Sequence, residues 1–189
     1  IPDDVNIIIL TPVEFIMLQV KIGAWLGVLL ATFWLLIDGA IKTELVKKIP
    51  NHSFAITKYA LGSMVLMIMG LAYSWYLLTP MLLDYLAADA QAAGISTEWR
   101  LSAFIGFIGG LCFACIIGFQ APLFTLLSIN SEVVSREELL LYRRHIWFAT
   151  FVLGAAFSPP DPLSLFLVAI PIILLFEVAI FWSSVTDKN

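Results

Sequence analysis

Long apolar stretches dominate this chain and decide which solvent it folds in. Residues 16–41, 59–78, 101–127, 144–157 and 163–182 are each mostly apolar. A helix needs ~20 such residues to cross the hydrocarbon core of a bilayer, so the stretch at 144–157 is short for a crossing. Lipid offers no hydrogen bonds to the backbone, so each stretch reads as a helix that pairs its own N–H and C=O groups. Hydrophobic residues are 61% of the 189, and mean hydropathy is +0.97. Soluble domains are about 45–50% apolar, and a core of this size cannot hide the excess. The expectation is an all-α fold: a polytopic transmembrane helical bundle of five spans, forming a single membrane domain over residues 1–189.

Basic residues set the orientation. Lys42, Lys47, Lys48 and Lys58 flank the connection between the first two stretches, Arg136, Arg143 and Arg144 lie between the third and fourth, and Lys188 follows the fifth. Lys21 and Arg100 fall on or near the other side. Cytoplasmic loops are enriched in Lys and Arg, so the N-terminus faces out and the C-terminus is cytoplasmic, in a multi-pass topology. Asp3 and Asp4 carry the wrong charge for a signal peptide. Carrying residues 1–13 outward then calls for a preceding span that this sequence lacks. In the outer loop, Leu82, Leu83 and Leu86 interleave with Asp84 and Asp89, which suggests a short amphipathic helix on the membrane surface, ended by Gly94. In the inner loop, Ser135-Arg-Glu-Glu138 has the form of a capping box leading into the fourth span.

Polar groups inside apolar stretches are costly, so they face protein or water. Gln120 lies late in the third span, within Gly118-Phe-Gln-Ala-Pro122. Its amide suits either a passenger or partner helix or an interhelical hydrogen bond, and the sequence leaves both open. Pro122 removes a backbone donor and bends the helix there. Asp161 sits in Ser158-Pro-Pro-Asp-Pro162, a stiff outer turn in which Asp accepts backbone N–H groups. Glu177, on the inner half of the fifth span, is placed to pair with a basic residue on a neighbouring helix. Asp38 is four residues from Lys42, at helical pairing distance.

Other features narrow the function classes. A net charge of -4 without a basic stripe argues against nucleic acid. Cys112 and Cys115 form a C-x-x-C inside an apolar run, where a reactive thiolate is not accessible, and read as packing residues. Gly106 and Gly110 make a G-x-x-x-G face for close helix approach. The six tryptophans fall mostly near span ends, as interfacial anchors do. His52 and His145 share no metal-ligand spacing with Cys or paired carboxylates. No nucleophile–base set or phosphate-binding loop is present. No enzyme activity, cofactor or metal is expected.

The order of motifs resembles one family. Ser135-Arg-Glu-Glu-Leu-Leu-Leu-Tyr-Arg-Arg144, Ser158-Pro-Pro-Asp-Pro-Leu-Ser164 and Ala169-Ile-Pro-Ile-Ile-Leu-Leu-Phe-Glu177 are similar to the basic inner loop, the T-P-P-D-x-x-S turn and the L-P-x-x-L-x-Y/F-E helix of TatC, the core subunit of the twin-arginine translocase. Gly118-Phe-Gln-Ala-Pro122 resembles its F-E/Q-x-P stretch, Gly70-Leu-Ala-Tyr-Ser-Trp-Tyr-Leu-Leu-Thr-Pro80 its third helix, and Thr11-Pro-Val-Glu14 with Lys21 the start of its second. The likeness covers nearly the whole chain and begins after the family's first helix. It implies a TatC-like concave bundle that recognises twin-arginine signal peptides of folded cargo. It also implies docking of single-span TatA/TatB-like partners in an oligomeric complex, and export driven by the proton motive force without chemistry on the cargo. By the same resemblance, Gln120, Pro122, Ser158, Asp161 and Glu177 are signal-peptide or partner-binding positions.

Two departures stand out. The family's first inner loop supplies a Glu to the signal's arginines, but gap-free matching puts His52 there, and Glu44 takes that role only if the loop is shifted. Around the outer turn, Ser158 replaces Thr, while Ala155 and Leu165 occupy positions that are often polar. These fit a divergent TatC or one half of a fused tandem. The competing classes are a small-molecule or ion secondary transporter, which favours inverted repeats not found here, and a scaffold-only TatC-like half without signal binding.

Overall fold

Helices follow the apolar stretches closely, and what positions the site is how they are joined. The computed structural model describes residues 6–8, 12–42, 52–94, 98–130, 133–157 and 162–186. In chain order these form β1 (Asn6–Ile8), α1 (Pro12–Lys42), α2 (His52–Ala72), a π-helical turn (Tyr73–Leu78), α3 (Thr79–Ala92), β2 (Glu98–Arg100), α4 (Leu101–Gly118), α5 (Ala121–Asn130), α6 (Arg136–Phe157) and α7 (Pro162–Thr186).

Among the described residues, four segments are long and apolar enough to cross a membrane: Val13–Gly39, Thr57–Ala92, Leu101–Asn130 and Pro162–Val185. The short fourth span of the sequence reading is the apolar second half of α6, whose first half carries Arg136, Glu137, Glu138, Arg143 and Arg144. The fold is thus the expected all-α membrane bundle. Leu30, Trp34 and Phe181 are each 70% exposed and Tyr76 is 79% exposed. An apolar surface this extensive requires lipid as its solvent.

Helix α4 is the centre, packing against α1, α2, the π turn, α6 and α7. Leu111, Ala114 and Cys115 of α4 meet Leu78, Leu82, Val168 and Ile172 to make the core. A Cβ on Gly70 would lie 2.7 Å from the carbonyl oxygen of Cys115, so only glycine allows α2 this close to α4. Gly109 and Gly118 likewise leave room for Trp25 and Ile172. This corrects half of the G-x-x-x-G expectation: Gly106 has nothing near it, while a Cβ on Gly110 would lie 3.2 Å from the Phe157 carbonyl oxygen, so Gly110 packs closely on α4 along with Gly109 and Gly118. Trp25 is correspondingly a packing residue, stacked on Phe113 with centroids 6.0 Å apart.

Prolines explain two further features. The second apolar stretch of the sequence stops at residue 78, just before Thr79-Pro80, yet the helix runs on to Ala92. A proline ring collides with the carbonyl four residues back in an α-helix. Here the wider π turn carries the chain past it, with Thr79 N–H donating to the Ser74 carbonyl. Consequently Leu82, Leu83 and Ala87 of α3 face the bundle core while Asp84 and Asp89 are exposed. The helix is amphipathic as expected, but its apolar side covers protein, which corrects the membrane-surface placement. Gly94, with φ 68°, terminates it. In α7, Pro171 cannot donate to the carbonyl of Leu167, and the Tyr73 hydroxyl donates to that oxygen instead, at 2.8 Å. A two-stranded parallel pairing, Asn6↔Glu98 to Ile8↔Arg100, ties the segment before α1 to the segment before α4. Both helices therefore begin at the same end of the bundle.

Candidate functional site

The intramembrane polar position is built by a break in the third span. α4 ends at Gly118 and α5 begins at Ala121. Across the break, Phe119 N–H donates to the Cys115 carbonyl and Gln120 N–H to the Ile117 carbonyl, 2.9 Å each. Pro122 follows in the first turn of α5, where a missing N–H costs least. Gln120 is fully buried at this break and faces α2. Its Oε1 accepts from the Ser63 hydroxyl at 2.9 Å, and its Nε2 donates to the Ser63 carbonyl at 3.2 Å. Both ends of the amide are used by one residue of a neighbouring helix. Of the two readings the sequence left open, the interhelical hydrogen bond is the one formed in this conformation.

Beside this break, a cavity of about 350 Å3 opens between α1, α4, α6 and α7. Val28, Phe113, Ile117, Leu153, Val168 and Ile172 are among its walls. Among the described residues its one hydroxyl, on Thr150, is spent on the Ile146 carbonyl at 2.9 Å. Such a lining suits an apolar helix or chain and gives a hydrated solute nothing to bond with.

Glu177 belongs to a separate cluster. Arg143 Nε donates to its Oε1 at 2.6 Å, and Trp147 Nε1 donates to the same oxygen at 2.9 Å. The guanidinium carbon of Arg143 also sits 5.0 Å from the centre of the Trp147 ring. The carboxylate pairs with a basic residue on a neighbouring helix, as its place in the sequence suggested. One turn before Arg143, the capping box closes. Glu138 Oε2 accepts from Ser135 N–H at 2.8 Å and from its hydroxyl at 2.9 Å, and Ser135 Oγ accepts from Glu138 N–H at 3.2 Å. These bonds, the backbone one foremost, hold the exposed Glu138 carboxyl below the usual glutamate range.

At the opposite end, Glu14 of α1 pairs with Arg100 before α4, Nε to Oε1 3.4 Å. Among the described residues, Gln120 and Glu177 share no hydrogen-bond partner. Ser158, Asp161 and Glu44 lie outside the described residues, as does the side chain of Lys42 that was expected to meet Asp38. Among the described residues, no three of His, Cys, Asp and Glu come together as a metal site would require.

Ser63 was missed by sequence reasoning, although a signal existed. Ser63, Gly70 and Ser74 recur at seven- and four-residue spacing, a small-residue face on one side of a helix, and all are buried. Trp147 as the second donor to Glu177 had no local signal, because two helices must cross before the pair meets.

A family profile described as "Sec-independent protein translocase protein (TatC)" matches residues 2–171. The chain belongs to the TatC family. It is 31% identical over 185 residues to TatCt of Haloferax volcanii, covering 96% of this chain and 26% of that protein. It is 26% identical over 193 residues to TatC of Aquifex aeolicus, covering 98% of this chain and 77% of that protein. With TatC of Escherichia coli K12 it shares 29% identity over 122 residues, 65% of this chain and 47% of the relative. Crystal structures of the twin-arginine translocase receptor TatC superpose with TM-scores of 0.74 and 0.75 at 24% identity. They cover 96% and 98% of this chain, and 80% and 81% of theirs. The fold is therefore the TatC fold, and the chain is a multi-pass membrane protein of a protein-translocating family.

Proposed function

We propose that this chain acts as the TatC-type subunit of a twin-arginine export system in a prokaryotic cell membrane, working by binding alone. In this reading it receives the twin-arginine signal peptide of a folded cargo and docks single-span TatA/TatB-like partners in an oligomeric complex. The proton motive force then drives passage. The single membrane domain lies with its C-terminus in the cytoplasm, because Lys58, Arg136, Arg143 and Arg144 belong to the connections on that side. Gln120, Pro122, Ser158, Asp161 and Glu177 are the proposed signal-peptide or partner-binding positions, with Glu44 the candidate for the signal's arginines.

The observation that supports this reading best is the apolar cavity between α1, α4, α6 and α7. A binding groove for an apolar segment needs such a lining, whereas a small-molecule transporter needs polar coordination at mid-membrane. The test is export of a twin-arginine reporter with Leu153→Trp, which fills the cavity. Overpacking costs typically 1–3 kcal/mol, or about tenfold in occupancy. Export should fall by about that factor at equal membrane abundance. Unchanged export would overturn the groove's role. Gln120→Leu and Asp161→Ala should also lower export, and normal export in both would remove these residues from the binding site.

A further inference from the structure

We infer that α6 carries a binding site for the headgroup of an anionic phospholipid in the leaflet it enters. A cavity of about 490 Å3 is lined by Leu140, Leu141, Arg143, Arg144 and Trp147. It lies where α6 passes from its charged first half to its apolar second half, which is headgroup level for a helix in a bilayer.

The charges in the cavity are unevenly used. Arg143 spends its Nε on Glu177, and its two Nη groups have no acceptor among the described residues. Arg144 is exposed and has no carboxylate partner among the described residues. Glu138, the nearest other carboxylate engaged on α6, is turned into the capping box. Glu137 is exposed two turns before Arg144. Two guanidinium groups facing one engaged carboxylate leave the cavity net positive. Arginine matches phosphate with a planar fork of donors.

The apolar wall selects lipid over a soluble anion. Leu140 and Leu141 are exposed beside the guanidinium groups, where they would cover the glycerol and first acyl carbons of a lipid. Trp147 provides an amphipathic ring at the boundary. Basic pockets of this kind on membrane helices hold acidic headgroups. The site requires only that the bundle sit in a bilayer, so it stands or falls independently of the export role.

The experiment uses the full chain reconstituted in phosphatidylcholine vesicles. Spin-labelled phosphatidylglycerol and spin-labelled phosphatidylcholine are compared by the fraction of each immobilised on the protein. The wild type should prefer phosphatidylglycerol. Arg144→Gln should lower that preference by about fivefold, the order expected for one arginine close to a phosphate. Arg144→Lys should keep part of it as a point charge. Leu141→Glu, which places a carboxylate one turn from Arg144, should lower it as Arg144→Gln does. Lys58→Gln, a basic residue of α2 outside the cavity, should leave it unchanged. The inference is overturned by an unchanged preference in both Arg144→Gln and Leu141→Glu, or by equal loss in Lys58→Gln. Displacement of the labelled lipid by inorganic phosphate at constant ionic strength would also overturn it, since the site would then be one for soluble anions.

Discussion

The bundle handles its polar side chains in two ways, and the contrast between Gln120 and Glu177 shows why. Gln120 is neutral, fully buried at the break in the third span, and completes both ends of its amide on Ser63. Glu177 is charged, 23% exposed, and accepts from Arg143 and Trp147 beside the open mouth of α6. An amide can be satisfied by two hydrogen bonds and then costs little in a dry interior. A carboxylate there needs a partner and water, because desolvating both ions can exceed their attraction. Charge therefore sits where the helices meet the headgroups, and amide sits where they meet each other.

The substitution expected to damage this arrangement most is Gly70→Ala. It pushes α2 away from α4 and thereby separates Ser63 from Gln120. Its Cβ would meet backbone rather than a movable side chain, so a loss of about 3 kcal/mol in detergent unfolding is expected. Wild-type stability would show that the helices are not this close. Next comes Gln120→Leu, which leaves the Ser63 hydroxyl and carbonyl without their partner and should cost about 2 kcal/mol. A double-mutant cycle with Ser63→Ala should show coupling, and additive losses would mean the two do not interact. Tyr73→Phe is expected to cost about 1 kcal/mol by orphaning the Leu167 carbonyl beneath Pro171. No loss would show that another donor reaches that carbonyl.

Glu177→Gln should matter less for stability than Gln120→Leu, about 0.5 kcal/mol, and the loss should shrink with added salt. A larger loss than at Gln120 would invert the contrast. The smallest effect is expected from pH. The Glu138 carboxyl is held low in the folded chain, so its contribution is complete above the ordinary glutamate range and vanishes as pH falls through the depressed value. Once rates are corrected for the intrinsic pH dependence of exchange, protection of the amides in the first turn of α6 should fall there on acidification. Protection in that turn unaltered by acid, relative to the rest of α6, would remove the capping box from the start of that helix.

Much of the fold was legible because lipid imposes simple rules. The long apolar stretches, the capping box at Ser135 and the pairing of Glu177 follow from hydropathy, local spacing and the cost of an unpaired charge. What escaped depends on contacts between distant segments. Pro80 reads as a terminator unless the turn before it widens. Gly106 and Gly110 fit a packing motif, yet of the two only Gly110 meets a neighbour, and Gly109 and Gly118 take close contacts that no motif marks. The partner of Gln120 lies 57 residues earlier, and its small-residue face carries no charge to advertise it. The parallel pairing of Asn6–Ile8 with Glu98–Arg100 had no sequence signal, since three residues are too few for a strand pattern.

The division between lipid-facing and protein-facing positions can be measured directly with single cysteines carrying spin labels in a cysteine-free chain, reconstituted in vesicles. Labels at Leu30, Tyr76 and Phe181 should collide freely with dissolved oxygen and hardly at all with a water-soluble nickel complex, while a label at Ser63 should meet neither. Nickel reaching Leu30 and Tyr76, or oxygen reaching Ser63 as readily as Tyr76, would mean that these helices do not cross a bilayer with their polar side chains turned inward.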